Sequence, residues 1–188
     1  MKNKEQGTYF SFRRLFLLLC IIFSLVGCNS KKKQLTELVE KWQGKEILLP
    51  QNAEMKLYGR DTVCPDFFEK DYKILNYVDT NGCTECRLKL YDWQLLKEET
   101  DSLQLNVSFI FVAWVKDYPM LEKLQKANGF DSPILYDRTG QADSLNHFPS
   151  QPGYQTFLLD KDNRVVLIGN PIGSQALWNL YKKIMTKK

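Results

Sequence analysis

The sequence has a single histidine, His147, among its 188 residues, which excludes a metal cage built from several histidines. It has no strong excess of one charge, with 26 basic and 22 acidic residues. Nucleic-acid binding needs a surplus of Lys and Arg facing phosphates, so we exclude that function class. Internal repeats with a period of about 20 to 50 residues are also absent. So are the P-loop, G-x-G-x-x-G, G-x-S-x-G and H-E-x-x-H motifs.

No apolar run is long enough to cross a membrane. The run Leu15–Val26 has twelve residues, whereas a membrane-spanning helix needs about 20. It follows a basic segment and is typical of the core of a signal peptide, so we expect residues 1–27 to be removed. Their removal takes away four basic residues and one acidic residue, which leaves 22 basic and 21 acidic residues and a net charge of +1.

The apolar run ends in Leu25-Val26-Gly27-Cys28, which resembles the lipobox of bacterial lipoproteins. The resemblance implies cleavage before Cys28, a diacylglycerol on its sulfur and an acyl chain on its amine. Residues 28–33 are then a lipidated tether that holds the chain on a membrane of the cell envelope. Because Lys31–Lys33 lacks an acidic cluster, we expect the periplasmic face. An ordinary signal peptide and an uncleaved anchor are the alternatives.

The remaining chain alternates between helix and strand patterns, which predicts one α/β domain over residues 34–186 with a mixed sheet flanked by helices. A first amphipathic helix ends at Gly44, and residues 51–71 are polar and turn-rich. Strands are predicted at Ile47–Leu49, Tyr72–Val78, Val107–Val115, Ile134–Tyr136, Thr156–Leu159 and Arg164–Ile168. Further helices are predicted from Cys86, from Asp117 to Gly129, and from Ser174.

Two of these helices carry apolar stripes at helical spacing, which predicts the faces that they bury. The helix that starts at Cys86 has such a stripe at Leu88, Tyr91, Leu95 and Leu96. The last helix has one at Leu177, Leu180, Tyr181 and Ile184.

Cys83-Thr84-Glu85-Cys86 is a C-x-x-C motif placed where a predicted strand gives way to a helix. A first cysteine at a helix N-terminus meets free backbone N–H groups, which stabilise a thiolate. The second cysteine lies one turn along and can attack a mixed disulfide. Glu85 works against the thiolate and Arg87 works for it. A dithiol redox pair, a structural disulfide and a metal site are the three readings of this motif.

The Cys83–Cys86 pair after a strand, the αβ insertion around Ser132–Asp137 and the segment Thr156–Pro171 resemble the thioredoxin-like fold. Within that fold they resemble membrane-tethered redoxin and TlpA-like thiol–disulfide proteins of bacterial envelopes. With the lipobox, the chain is most similar to thioredoxin-like lipoproteins of Bacteroidales-type Gram-negative bacteria. The resemblance implies a thioredoxin-like sandwich with a mixed central sheet, an αβ insertion and a short N-terminal helical extension.

The same resemblance implies the chemistry. Cys83 is expected to be the attacking nucleophile and Cys86 the resolving thiol, with protein thiols or disulfides as substrates. No cofactor is needed, because electrons move between sulfurs. A reductase of this kind also needs an electron-donating partner in the inner membrane.

The chain departs from the family at three positions. Gly82 stands where the family has an aromatic residue, and Tyr77 stands where thioredoxins place a buried carboxylate, for which Asp79 is at best a substitute. Gln155 stands where a cis-proline precedes the Thr of the hairpin, Thr156, in the loop that meets substrate. A cis bond before a non-proline residue costs about 2.5–4 kcal/mol, so we expect Gln155 to be trans and the loop to be reshaped.

Two residues lie outside the family pattern, and their roles stay open. Cys64 is a buried small side chain or free thiol, a third redox partner, or a metal ligand with Cys83, Cys86 and His147. His147 is an exposed loop residue or takes part in ligand binding or proton transfer. The overall alternative is therefore a non-enzymatic lipoprotein of this fold whose cysteine pair is a staple or a zinc or copper clip.

Peroxide reduction at Cys83 is a third reading and the weakest. Peroxidatic sites place a Thr and a Pro just ahead of the cysteine. The residues ahead of Cys83 are Thr80-Asn81-Gly82, with no proline.

Overall fold

The structure is a computed structural model that describes residues 32–81 and 83–187. The chain divides into two compact units, Met1–Lys41 and Trp42–Lys188. The predicted signal peptide, Cys28 and the first part of the tether lie outside the described residues. Within the described ranges, no helix combines the length and the apolar character needed to span a membrane.

The described part of the first unit, residues 32–41, is helical, and this helix, α1, ends at Trp42. The amphipathic stripe had predicted it. Gly44 follows with φ of +76°, a left-handed conformation that costs glycine little and that commonly ends helices.

The second unit holds seven strands and five further helices among the described residues. In chain order they are β1 (Glu54–Leu57), β2 (Arg60–Asp61), β3 (Tyr72–Val78), α2 (Thr84–Leu88), α3 (Leu90–Ser102), β4 (Val107–Ala113), α4 (Tyr118–Ala127), β5 (Ile134–Tyr136), α5 (Gln141–Asn146), β6 (Thr156–Asp160), β7 (Val165–Ile168) and α6 (Gln175–Met185).

The seven strands form one mixed sheet in the order β2-β1-β5-β4-β3-β6-β7. The strand β4 pairs in parallel with β3 and β5, and the other neighbours pair antiparallel. The central strands β3 and β4 are buried along nearly their whole length, as their almost continuous apolar sequences predicted. The prediction of a mixed central sheet flanked by helices is confirmed.

Aromatic side chains fill both faces of this sheet. On one face Trp93 of α3 packs edge-on against Phe111 of β4, with ring centroids 5.6 Å apart. On the other face Tyr77 of β3 stacks on Phe148 at 4.5 Å, and Trp42 stacks on the same ring at 6.0 Å. Tyr77 and Phe111 belong to opposite faces because alternate strand residues point in opposite directions and Phe111 pairs with Asn76.

The polar segment 51–71, where no strand was predicted, contains β1 and β2. These two strands form the edge of the sheet, where β1 takes its hydrogen bonds from β5 and β2 is exposed at both of its residues. A strand at the edge of a sheet can be short, polar and exposed. Its sequence then lacks the alternation of apolar and polar residues from which a strand is predicted. The predicted strand Ile47–Leu49 is wrong, since only Glu46 forms an isolated bridge, with Arg164.

The helix predicted to run on from Cys86 is interrupted at Lys89, whose φ of +44° is left-handed. The interruption shifts the helical phase, so the predicted stripe is wrong at Tyr91 and Leu95, whereas Leu88 is buried and Leu96 packs against the core. Tyr91 and Leu95 are 58% and 46% exposed, whereas Leu90 and Trp93 are buried. The predicted stripe of α6 is confirmed at Leu177, Tyr181 and Ile184, which are buried or pack against the core, and is wrong at Leu180, which is exposed. The helix also buries Trp178 and Met185.

The short helix α5 was also missed. With six residues it is too short to show a period, and it depends on Asp137, whose carboxylate accepts hydrogen bonds from the backbone N–H groups of Gln141 at 2.9 Å and Ala142 at 2.8 Å.

The start of α4 offers a test of the predicted helix cap. Asp117 Oδ1 accepts a hydrogen bond from Met120 N at 2.9 Å. Replacing Asp117 with Ala is expected to lower the free energy of unfolding by about 1 kcal/mol, because a first-turn N–H loses its acceptor. Asp117→Ser keeps an acceptor and should lose much less. Urea unfolding of the three full-length chains measures both values; equal losses in the two variants would contradict the assignment.

Candidate active site around Cys83

Cys83 is exposed and lies directly before α2. Its carbonyl oxygen accepts a hydrogen bond from Arg87 N at 3.2 Å, which closes the first helical turn. The strand β3 ends five residues earlier, at Val78, in the middle of the sheet. Cys86 belongs to α2, and its side chain lies outside what the structure describes. The predicted strand-to-helix position of the cysteine pair is therefore present.

The helix behind Cys83 is only five residues long, because Lys89 interrupts it. The macrodipole of a helix grows with the number of aligned peptide units. Stabilisation of a Cys83 thiolate must therefore come mainly from the free N–H groups of the first turn and from nearby charge, rather than from a long helix.

Arg87 joins three segments of chain beside this helix. Its Nη1 donates to the carboxylate of Asp79 and to the carbonyl oxygen of Asn81, the latter at 2.8 Å. Its Nη2 donates to Oε1 of Gln155. The side chains of Arg87 and Asp79 are only 11% and 12% exposed. We refer to Arg87, Asp79 and Gln155 as the Arg87 clamp.

Gln155 completes the clamp from the loop before β6. Its Nε2 donates to Asp79 Oδ2 at 3.2 Å and to the carbonyl oxygen of Pro149 at 2.8 Å. The described residues contain no cis peptide bond, so the bond before Gln155 is trans, as predicted for a residue other than proline. The adjacent Thr156 is buried, and its Oγ1 donates to Asn76 Oδ1 at 2.9 Å.

Gln155 and Thr156 were both predicted to belong to the loop that meets substrate. The structure buries both side chains, which gives them the role of holding the loop. The exposed part of the loop before Gln155 is residues 150–153.

The clamp keeps Asp79 ionised. Burial raises the pKa of Asp79, but hydrogen bonds from Arg87, from Asn81 N and from Gln155 more than offset this, and the pKa lies below its ordinary value. At the position where thioredoxins have a buried carboxylate, burial raises the pKa of the Tyr77 hydroxyl, which stays neutral. Of these two residues, Asp79 therefore carries the negative charge.

The structure does not bring Cys64 to Cys83. Cys64 lines a cavity with Ser108, near the first residue of β4, whereas Cys83 follows the end of β3, where Val78 pairs with Ala113, the last residue of β4. The strand β4 has seven residues, so its two ends lie six residue steps apart, or roughly 20 Å at about 3.3 Å per residue. The suggested roles of Cys64 as a redox partner or as a shared metal ligand with Cys83 are therefore corrected.

His147 lies closer to the clamp. Its side chain is exposed, its φ is +55°, and two residues further along Pro149 accepts the hydrogen bond from Gln155. Among the described side chains, no three His, Cys, Asp or Glu residues form a group suited to a metal ion.

The sequence singled out Asp79, Arg87 and Gln155 separately and did not connect them. The signal for the connection was the coincidence of a Gln at the proline position with an Asp and an Arg flanking the cysteine pair. Nothing in their spacing shows that one guanidinium reaches both partners.

No protein-family model and no curated protein matches the chain. Solved structures do. Peroxidoxin BcpB from Mycobacterium tuberculosis has a TM-score of 0.56 at 13% identity, covering 76% of this chain and 98% of that one. The bacterioferritin comigratory protein of Xanthomonas campestris has a TM-score of 0.53 at 14% identity, covering 71% and 91%. The thioredoxin domain of a thiol–disulfide oxidoreductase from Bacteroides vulgatus has a TM-score of 0.52 at 15% identity, covering 77% and 98%.

These similarities establish the class of fold. The chain has the thioredoxin-like fold, and its structural neighbours include peroxiredoxins and a thiol–disulfide oxidoreductase. The resemblance expected from the cysteine pair and the hairpin is confirmed at the level of the fold.

Replacing Arg87 with Gln tests the clamp. The variant leaves the Asp79 carboxylate without its cation, so its free energy of unfolding at pH 7 should fall by about 1–3 kcal/mol. Because the folded pKa of Asp79 is lowered, this contribution is present above the unfolded pKa of about 3.9. It is lost as the pH falls through the folded pKa, so the difference between the two chains should shrink in acid.

Arg164→Gln is the matched control, since Arg164 faces Glu46 at an exposed site. It should cost less than about 1 kcal/mol. Denaturant unfolding of the full-length chains between pH 7 and pH 3 gives both profiles. A loss for Arg87→Gln no larger than for the control, or one that does not change with pH, would contradict the clamp.

Proposed function

We propose that this protein is a thiol–disulfide oxidoreductase of the cell envelope that exchanges disulfides with protein substrates through Cys83 and Cys86. The observation that carries the proposal is the exposed Cys83, placed directly before a helix at the end of a central strand of a thioredoxin-like fold. The fold is shared with a thiol–disulfide oxidoreductase from Bacteroides vulgatus, which supports the proposal.

The exchange takes place in two steps. The Cys83 thiolate attacks one sulfur of a substrate disulfide, so that a mixed disulfide forms and the other substrate sulfur leaves as a thiolate. The Cys86 thiolate then attacks the Cys83 sulfur, which releases the second substrate sulfur and leaves a Cys83–Cys86 disulfide. Two electrons pass from the cysteine pair to the substrate, and the reverse sequence oxidises a substrate dithiol.

The clamp positions the nucleophile for these steps. Arg87 fixes α2 against the end of β3 and against the loop before β6, so the start of the helix keeps one orientation when substrate docks. The exposed residues 150–153 precede Gln155 in that loop and form the surface that a substrate chain would meet. In the reducing direction, an electron donor in the inner membrane would regenerate the dithiol.

We propose that the chain is anchored by lipid at Cys28 and faces the periplasm. The proposal rests on the lipobox-like Leu25-Val26-Gly27-Cys28 and on the basic run that follows it without an acidic cluster. An oxidising envelope is also where a dithiol–disulfide pair has substrates.

Peroxide reduction at Cys83 is the second candidate. It is favoured by the structural neighbours, one of which is described by its alkyl peroxide reduction activity. It is disfavoured by Thr80-Asn81-Gly82, which provides no proline ahead of the cysteine. A structural or metal-binding cysteine pair is the non-enzymatic alternative.

Trapping experiments separate these functions. In Cys86→Ser the resolving thiol is absent, so mixed disulfides between Cys83 and envelope proteins should accumulate. Cys83→Ser should trap none of these adducts. Cys64→Ser is the matched control and should behave like the unmodified chain, because Cys64 lies at the other end of the sheet. Non-reducing gels followed by mass spectrometry identify the adducts; their absence from Cys86→Ser would sink the exchange mechanism.

The reduction potential distinguishes an exchanging pair from a staple. A Cys83–Cys86 couple between roughly −120 and −270 mV is expected for an exchanging dithiol, whereas a value below about −300 mV is typical of a structural disulfide. Equilibration of the full-length chain with glutathione, with each cysteine read by mass, gives the value. Rapid peroxide consumption that requires Cys83, without trapped protein adducts, would instead favour the second candidate.

The anchor has a test of its own. Replacing Cys28 with Ser removes the sulfur that carries the diacylglycerol. The variant should therefore carry no lipid and should no longer be recovered with the membrane fraction. Cys20→Ser changes a cysteine within the apolar run and should leave lipidation intact. Metabolic labelling with a fatty acid and mass analysis of the mature N-terminus measure the outcome. If the wild-type protein takes up no fatty-acid label, the proposed lipid anchor at Cys28 is wrong.

A further inference from the structure

The Arg87 clamp holds the chain on both sides of Cys83. On the helix side, Arg87 N donates to the carbonyl oxygen of Cys83 at 3.2 Å. On the strand side, Arg87 Nη1 donates to the carbonyl oxygen of Asn81 at 2.8 Å, two residues ahead of the cysteine. Because consecutive Cα atoms are only about 3.8 Å apart, the guanidinium lies within roughly 10 Å of the Cys83 backbone.

A full positive charge at this distance would stabilise a thiolate. At roughly 10 Å, one unit charge raises the fraction of thiolate about twofold in surroundings that resemble water, and about fifteenfold at an effective dielectric constant of about 20. Arg87 does not present such a charge, because its guanidinium is paired with the Asp79 carboxylate. Both side chains are nearly buried, so each is neutralised by the other rather than by water and salt.

Three donors hold Asp79 in its ionised form. They are the guanidinium of Arg87, Asn81 N at 2.8 Å and the neutral amide of Gln155, through Nε2, at 3.2 Å. Glu85 and Lys89, two residues before and after Arg87, carry one charge of each sign. The net charge that Cys83 meets from this side therefore depends mainly on whether Asp79 accompanies Arg87.

We propose that Asp79 acts through Arg87 and restrains the reactivity of Cys83, by neutralising the guanidinium that would otherwise stabilise its thiolate. Asp79 is thus a positioning residue. This role rests on the proposed function, in which the Cys83 thiolate attacks a substrate disulfide. With Asp79 in place, less of the thiol is ionised at a given pH than Arg87 alone would allow. Since a less stabilised thiolate favours the disulfide form, the cysteine pair is also a stronger reductant.

A purely structural role of the clamp has a different signature. Asp79→Asn and Arg87→Gln both break the same contact, so a loosened loop would change the reactivity of Cys83 in the same direction in both variants. Neutralisation by charge predicts opposite directions. The first variant leaves an uncompensated cation near Cys83, and the second leaves an uncompensated anion.

The test uses the full-length chain with Cys86→Ser, so that Cys83 is the reacting thiol of the pair. The rate of alkylation by iodoacetamide is followed between about pH 5 and pH 10 from the mass of the peptide that contains Cys83. Below the midpoint of this profile, Asp79→Asn should raise the rate about twofold to fifteenfold, and Arg87→Gln should lower it by a similar factor. The double variant should return to within about twofold of the starting chain, because both charges are absent.

Glu99→Gln is the matched control. It removes the carboxylate of another partly buried ion pair, with Lys182. Glu99 lies in the tenth position of α3, roughly 14 Å along the helix from its first residue. The variant should leave the Cys83 profile unchanged. Should one single variant fail to fold, the other single variant and the double variant still separate charge from structure, since a structural role leaves the double variant altered.

Alkylation needs no substrate protein, so the result is readable whether or not Cys83 exchanges disulfides. Opposite shifts without trapped adducts in Cys86→Ser would support the role of Asp79 and count against the proposed function. Trapped adducts with single-variant shifts in the same direction, or with an unchanged profile for Asp79→Asn, would overturn the role of Asp79 alone. With Cys86 present, and above the midpoint of the profile, the reduction potential of Asp79→Asn should be less negative than that of the unmodified chain.

Discussion

The contact between Arg87 and Asp79 is the interaction on which the arrangement of the candidate site depends. Asp79 follows β3, Arg87 belongs to α2, and their shared partner Gln155 precedes β6. One guanidinium therefore joins α2 to a residue eight positions earlier in the chain and to one 68 positions later. Because both charges are nearly buried, each is tolerated only in the presence of the other. The position of Cys83 is thereby linked to the ionisation of Asp79.

The clamp lies where the sequence departs from the thioredoxin pattern that it resembles. At the position of the expected proline, Gln155 holds the loop by hydrogen bonds to Asp79 and to Pro149. At the position of the expected carboxylate, the ring of Tyr77 stacks on Phe148. The charge lies on Asp79 at the end of the strand, where Arg87 neutralises it, whereas the buried polar side chains of Asn76 and Thr156 are neutral and hydrogen-bonded to each other.

Local sequence patterns were enough for the elements that the core itself determines. The apolar runs of β3 and β4, the turn signals of the last hairpin and the caps at Asp117 and Ser174 all predicted elements that the structure contains. The strand β1 depends on β5 for its place in the sheet and β2 depends on β1, and the clamp depends on a contact between positions 87 and 155. Such features are determined by contacts with residues that are distant in sequence, so a pattern of a few consecutive residues does not predict them.

The break at Lys89 connects the packing of the core with the chemistry of the site. By resetting the helical phase it turns Trp93 onto Phe109 and Phe111, where an unbroken helix would have placed Tyr91 and Leu95 inward. It also limits the helix behind Cys83 to five residues, so little macrodipole is available to a thiolate. The positive charge nearest in sequence is that of Arg87, which Asp79 largely neutralises. A thiolate at Cys83 would therefore gain more from Arg87 if Asp79 were protonated or displaced from the guanidinium.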